Sequence, residues 1–150
     1  MSSIDKAHQS IIEQAKLYCT QQKQRLTQPR LEVLKIIAES RKPLGAYQIL
    51  EKLGQIIKSP KPPTAYRAIE FWQQQRFIHR IESLSAYVIC HAGHRHPGGQ
   101  FMICNACGLV IEAHHCRLPE ALRMHAVKNT FTPCSWNVEI HGTCAQCQSP

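Results

Sequence analysis

Two short cysteine motifs constrain this chain more than any other feature. Cys104-Asn-Ala-Cys107 and Cys144-Ala-Gln-Cys147 each present two thiols from one tight turn, and both lie in the last third of the 150 residues. Two such knuckles can close a tetrahedron around a single Zn²⁺. Thiolate sulfur suits a borderline-soft ion, and four protein ligands leave no position open for a substrate. The spacing predicts a structural zinc held by Cys104, Cys107, Cys144 and Cys147. It would act as a staple for a small domain that is short of apolar core. Two other readings are a dithiol redox pair and a buried thiol cluster. A thioredoxin-like CxxC sits where a strand runs into a helix, and neither knuckle is predicted at such a junction.

Cysteine also divides the chain. Residues 1–89 contain only Cys19, and the other seven cysteines follow. The segment 91–99, rich in His and Gly with one Pro, reads as a hinge. The expected organisation is therefore residues 1–90, a hinge at 91–99, and a zinc-binding domain at 100–150. Charge divides the same way: residues 1–90 carry fourteen of the eighteen Lys and Arg, against seven of the ten carboxylates. A formal charge of +8 points to a polyanion, with nucleic acid ahead of a membrane surface, unless it is only surplus lysine. No apolar run approaches membrane-spanning length, and the first residues lack the pattern of a secretory signal. The expected location is the cytoplasm, where eight cysteines and nine histidines argue for metal or redox chemistry over disulfides.

Apolar spacing predicts helices through the first part. Ala7, Ile11, Ala15 and Tyr18 form one stripe. Thr27 can cap a second helix with Pro29 in its first turn and Leu31, Leu34, Ile37 and Ala38 inward. A third helix is expected after Gly45, with Tyr47, Leu50, Leu53 and Ile57 inward. Pro60, Pro62 and Pro63 interrupt the chain, and a fourth helix is expected from about Thr64. Its core face would be Ala65, Ala68, Ile69 and Trp72, and its outer face Tyr66, Arg67 and Glu70. Two strands, 77–81 and 86–90, flank a polar turn. Helices followed by a hairpin is the order of a winged helix-turn-helix, with the fourth helix entering the major groove. The second part is mixed. Strands are expected at 100–103 and 109–112, then a helix opened by Pro119 that buries Leu118, Leu122 and Ala126. A last strand should carry Trp136, Val138 and Ile140 on one face.

A second donor set is suggested near the hinge. If the hairpin turns around Leu84 and Ser85, His79 pairs directly with Cys90, with Cβ atoms about 5 Å apart. His96 and Glu112 are further donors. Two imidazoles, one thiolate and one carboxylate make a four-coordinate zinc site, and the thiolate disfavours Mn²⁺ and Fe²⁺. The alternative is that the residues are separate: a surface histidine, a core thiol and a solvated carboxylate. His114, His115 and Cys116 form another local cluster that reads as a third metal site or as a solvated loop. Cys19 and both tryptophans read as packing residues, and Cys134 has no evident role.

These motifs resemble the ferric uptake regulator family, and within it the zinc-sensing branch. The resemblance is carried by Arg25-Leu-Thr-Gln-Pro-Arg30-Leu-Glu-Val-Leu34, Lys61-Pro-Pro-Thr-Ala-Tyr-Arg-Ala68, the wing segments Phe77-Ile-His-Arg-Ile-Glu-Ser83 and Tyr87-Val-Ile-Cys-His91, and both knuckles. It implies an α+β chain: an N-terminal winged-helix DNA-binding domain followed by a small α/β dimerisation domain with structural zinc. It also implies a homodimeric, zinc-responsive repressor of zinc-uptake genes on an AT-rich inverted repeat, and no enzymatic activity. Two Zn²⁺ per subunit are expected, one on the four cysteines and one regulatory ion on His79, Cys90, His96 and Glu112. His94 is the other candidate for the hinge histidine. DNA contacts are expected from Tyr66 and Arg67, with Thr64, Arg25 and Arg30 around them. A family member sensing iron, manganese or peroxide is the other reading, which Cys90 disfavours.

Overall fold

In the computed structural model, which describes residues 3–91, 96–113 and 117–148, the chain divides into two units, Met1–Gly93 and His94–Pro150. The first unit begins with α1 (Ser3–Gln21) and α2 (Gln28–Glu39). Thr27 caps α2 as its sequence implies, its hydroxyl accepting from the Arg30 N–H, with Pro29 in the first turn. A two-residue strand, β1 (Leu44–Gly45), leads into α3 (Ala46–Gly54). The Gly45 N–H donates to Gln48 Oε1 at 2.9 Å, which satisfies one of the donors left open at a helix start.

Helix α4 (Pro62–Gln74) starts two residues before the expected Thr64. The prolines open it rather than delay it, since the first helical positions need no donated N–H and proline's fixed φ suits them. Its inner face is as read: Ala65, Ala68, Ile69 and Trp72 are buried, joined by Phe71, while Tyr66, Arg67 and Glu70 are exposed. Arg76 then takes a left-handed φ of 60°. The Arg76 N–H donates to Gln73 O and the Phe77 N–H to Trp72 O, both at 3.0 Å. That pair of bonds ends the helix sharply and turns the chain into the wing.

The wing pairs β2 (Ile78–Ile81) with β3 (Ala86–Ile89), and β1 adds to the other side of β3. The register differs from the expected one by two residues: His79 faces Val88, not Cys90. The loop is the reason. It spends four residues, a 3₁₀ turn at Glu82–Leu84 and then Ser85 at a φ of 46°, so that Ile81 and Ala86 close the ladder. The change is an even number of residues, so His79 and Cys90 stay on one face as a diagonal pair.

All the residues of the main apolar cluster belong to this first unit, including Leu34, Ile37, Ile49, Leu53, Ile69 and Trp72. The third helix is rotated from its expected frame. Leu53 is buried, but its partner is Ile49, while Tyr47 is 77% exposed. The i, i+4 pair of two branched aliphatics fills the core, which moves Tyr47 to the solvent side. Ile57 lies beyond the helix end and packs against the cluster only in part.

The second unit is built on a three-stranded sheet of order β5-β4-β6, from β4 (Gly98–Cys104), β5 (Val110–Glu112) and β6 (Trp136–Gly142). Strand β4 starts inside the segment expected to be a hinge. It pairs with β5 antiparallel and with β6 parallel, the latter over seven residues from Gly98↔Trp136 to Cys104↔Gly142. The intervening α5 (Glu120–Lys128) follows Pro119 as expected. It does not bury the expected face: Leu122 is 48% exposed, and Leu118 and Ala126 are only half-buried. Met102, Ile111 and Ile140 form one exposed row across the sheet. Fully buried apolar side chains in this unit reduce to Phe101, Ile103 and Cys104 among the described residues.

The corrected frame of α3 makes a direct prediction. Leu53→Ala should lower stability by about 2–5 kcal/mol, because it empties a filled core position. Tyr47→Ala should change it by less than about 0.5 kcal/mol. Urea unfolding of the two variants against the parent chain measures both.

Candidate metal centres and nucleic-acid interface

The two knuckles come together at one end of the β4–β6 pair. Cys104 is the last residue of β4, and its turn closes with Gly108 N–H to Cys104 O at 2.9 Å. Gly108 has a φ of 76°, a conformation that glycine adopts without strain. Cys144 lies just beyond β6 and opens the short helix α6 (Ala145–Gln148), which carries Cys147. The second knuckle thus does sit between a strand and a helix, contrary to expectation, although that helix is only four residues long. A redox dithiol is still not the best reading, since all four sulfurs converge, lying within 4.8 Å of one another. Sulfurs about 2.3 Å from a tetrahedral zinc stand about 3.8 Å apart, and Cys107 and Cys144 are at 3.7 Å.

Electrostatics support the same fit. Backbone N–H groups, Cys144 first and Cys107 next, bring the Cys104 thiol down to about 6. Cys147 is pushed up to about 12, chiefly by hydrogen bonding to the Cys144 and Cys107 sulfurs. Four clustered thiols cannot all ionise without a cation among them. A divalent ion resolves that conflict, and metal uptake must release the remaining protons.

The second donor set is present as two pairs, one in each unit. In the first unit the ligand atoms of His79 and Cys90 are within 4.8 Å of each other. Both residues are half-buried, and the Cys90 N–H donates to Phe77 O at the foot of the wing. In the second unit His96 is buried just before β4, and Glu112 ends β5. His96 Nδ1 is hydrogen-bonded to Gly98 O. A carbonyl can only accept, so Nδ1 carries the proton and Nε2 is left with its lone pair. Nε2 stands 4.0 Å from Glu112 Oε1. That is too long for a hydrogen bond, and about half an ångström beyond the roughly 3.4 Å at which two such donors stand on one tetrahedral zinc. His94, His114, His115 and Cys116 lie outside the described residues. Cys19 is buried in the first-unit core, and that burial raises its pKa; Cys134 is exposed.

The exposed face of α4 is braced from behind. Trp72 Nε1 donates to Arg30 O at 2.6 Å, joining α4 to α2. The Arg30 guanidinium lies 3.7 Å from the centre of the Phe71 ring, and its Nη1 donates to Arg25 O. Arg30 is thus half-buried and engaged, and Thr64 is half-buried, while Arg25, Tyr66 and Arg67 are exposed. The bracing role of Arg30 is not legible from spacing, because Phe71 and Trp72 are 41 and 42 residues further on.

The ferric uptake regulator family model matches residues 21–141. The chain belongs to the ferric uptake regulator family. It is 36% identical to the zinc uptake regulation protein of Escherichia coli strain K12 over 141 residues, covering 93% of this chain and 82% of that protein. Among solved structures, a zinc uptake regulator complexed with zinc and DNA matches with a TM-score of 0.83 at 35% identity, over 93% of this chain and 94% of the other. The holo form of XcZur matches with a TM-score of 0.80 at 33% identity, over 92% and 96%. These likenesses support the α+β class expected above, a winged-helix domain followed by a smaller mixed domain.

Cys104→Ser should remove one tightly held zinc per chain and unfold the second unit, because the sheet there has little other core. Cys134→Ser should keep the full zinc content. Metal analysis after gel filtration, with circular dichroism, distinguishes them. A stable, folded Cys104→Ser chain would show that the cluster is not structural.

Proposed function

We propose that this chain is a cytoplasmic, zinc-responsive DNA-binding repressor of zinc-uptake genes, and not an enzyme. One observation carries the zinc reading. Each unit offers half of a four-coordinate site, His79 with Cys90 in one and His96 with Glu112 in the other. Neither half suffices alone for a tight, closed site, and a thiolate with two imidazoles and a carboxylate favours Zn²⁺ over Fe²⁺ or Mn²⁺. Filling that site would fasten the wing to the second unit. The four cysteines hold the other zinc, giving two per subunit, one structural and one regulatory. The zinc uptake relatives, one of them complexed with zinc and DNA, support the same assignment.

The chain acts as a homodimer on an AT-rich inverted repeat. The exposed row of Met102, Ile111 and Ile140, with Leu122 and Val127 on α5, supports a second copy as its cover, since apolar groups in a row exclude water on association. Two recognition helices then meet successive major grooves when the site is filled. Arg67 reads a base edge, most simply the two acceptors of a guanine, and Tyr66 meets a thymine methyl or a phosphate. Arg25 and Thr64 add backbone contacts. Arg30 contributes through its exposed edge while holding α2 and α4 together.

The test is fluorescence anisotropy on an AT-rich inverted repeat against buffered free zinc. Binding should appear with zinc, not with iron or manganese, and should vanish in Cys90→Ser while that chain keeps its structural zinc. Binding that is equally tight with the weaker site stripped of metal would refute the sensor reading. It would leave a constitutive DNA-binding protein with one zinc.

A further inference from the structure

Trp136 is a large side chain that neither the knuckles nor the donor pairs explain. It opens β6 beside Gly98, the first residue of β4; the two are register partners, and the Trp136 N–H donates to Pro97 O at 3.4 Å. A Cβ added at Gly98 would stand 2.0 Å from both Cε2 and Nε1 of the indole. Only glycine leaves space for the ring there. The indole Nε1 is buried and, among the described residues, has no hydrogen-bond partner.

Gly98 is also the residue whose carbonyl accepts from His96 Nδ1. The indole therefore presses on the same peptide that selects the tautomer of His96 and aims its Nε2 toward Glu112. We propose that Trp136 is a positioning residue for the regulatory zinc: packed against Gly98, it holds the carbonyl that orients His96. This rests on the reading of His96 as a ligand. Metal-binding imidazoles commonly donate their second nitrogen to a carbonyl or carboxylate, and loss of such a partner lowers metal affinity about 10–100-fold. A backbone carbonyl cannot be removed by substitution, so the ring that pins it is the side chain through which that geometry can be altered.

The experiment is a zinc competition titration against a chromophoric chelator, on the full chain, with Trp136→Ala, Trp136→Phe and His96→Ala beside the parent. Trp136→Ala should weaken the second zinc about 10–100-fold and leave the first zinc in place. Trp136→Phe, which keeps an aromatic ring and drops the unpaired N–H, should restore most of that affinity. Trp136→Leu replaces the alanine variant, under the same criteria, if the alanine chain does not fold. A second zinc as tight in Trp136→Ala as in the parent overturns the proposal. So does a parallel loss of both zincs that phenylalanine fails to rescue, because that is general packing. His96→Ala separates the two levels. If it leaves the second zinc intact, His96 is no ligand and the regulatory-site reading falls too; if it abolishes that zinc while Trp136→Ala does nothing, only the positioning role falls.

Discussion

The parallel pairing of β4 with β6 is the constraint on which the rest of the second unit depends. At one end the two strands deliver Cys104 and, just past Gly142, Cys144, so their pairing sets the spacing of the two knuckles. At the other end they place Gly98 against Trp136, with His96 two residues upstream. Parallel strands cannot be joined by a tight turn and need a long connection, and the chain between β4 and β6 includes β5 and α5. With so few buried side chains among its described residues, the sheet leans on the sulfur cluster at its knuckle end. On the proposed reading, one zinc holds the register that orients a ligand of the other.

The first unit meets a different requirement, that of holding a helix face rigid while leaving it bare. Helix α4 buries Ala65, Ala68, Ile69 and Trp72 and exposes Tyr66 and Arg67 on the same three turns. Side-chain contacts alone allow such a helix to roll. The bond from Trp72 to the Arg30 carbonyl and the stacking of Arg30 on Phe71 tie it to α2. An arginine placed so is partly withdrawn from any partner, and the exposed charge falls to its neighbours. The abrupt end of α4 at Arg76 turns the chain directly into the wing.

Much of this was legible in the residues. Thiol pairs at CxxC spacing state their chemistry outright, and the small and aromatic residues of α4 declare its inner face. The departures of the structure from the spacing show where local pattern stops. The spacing of Tyr47, Leu50, Leu53 and Ile57 points Tyr47 inward, yet Ile49 and Leu53 give the tighter i, i+4 fit. The wing register depended on a loop whose Ser85 adopts a left-handed conformation, which no turn-forming glycine advertises. The periodicity of Leu122 reports only that something apolar should cover it, and among the described residues this unit buries just Phe101, Ile103 and Cys104. The role of Gly98 depends on Trp136, thirty-eight residues away, and spacing carries no trace of that contact.

Coupling between metal and DNA is reciprocal in free energy: if the regulatory zinc tightens DNA binding by some factor, DNA must tighten that zinc by the same factor. The most direct measurement is the affinity of the weaker zinc site with and without a saturating AT-rich inverted-repeat duplex, at constant salt. A zinc affinity raised by the factor that zinc confers on DNA binding is the predicted result. A zinc affinity unchanged by DNA would contradict it, showing that His79, Cys90, His96 and Glu112 do not form the switch.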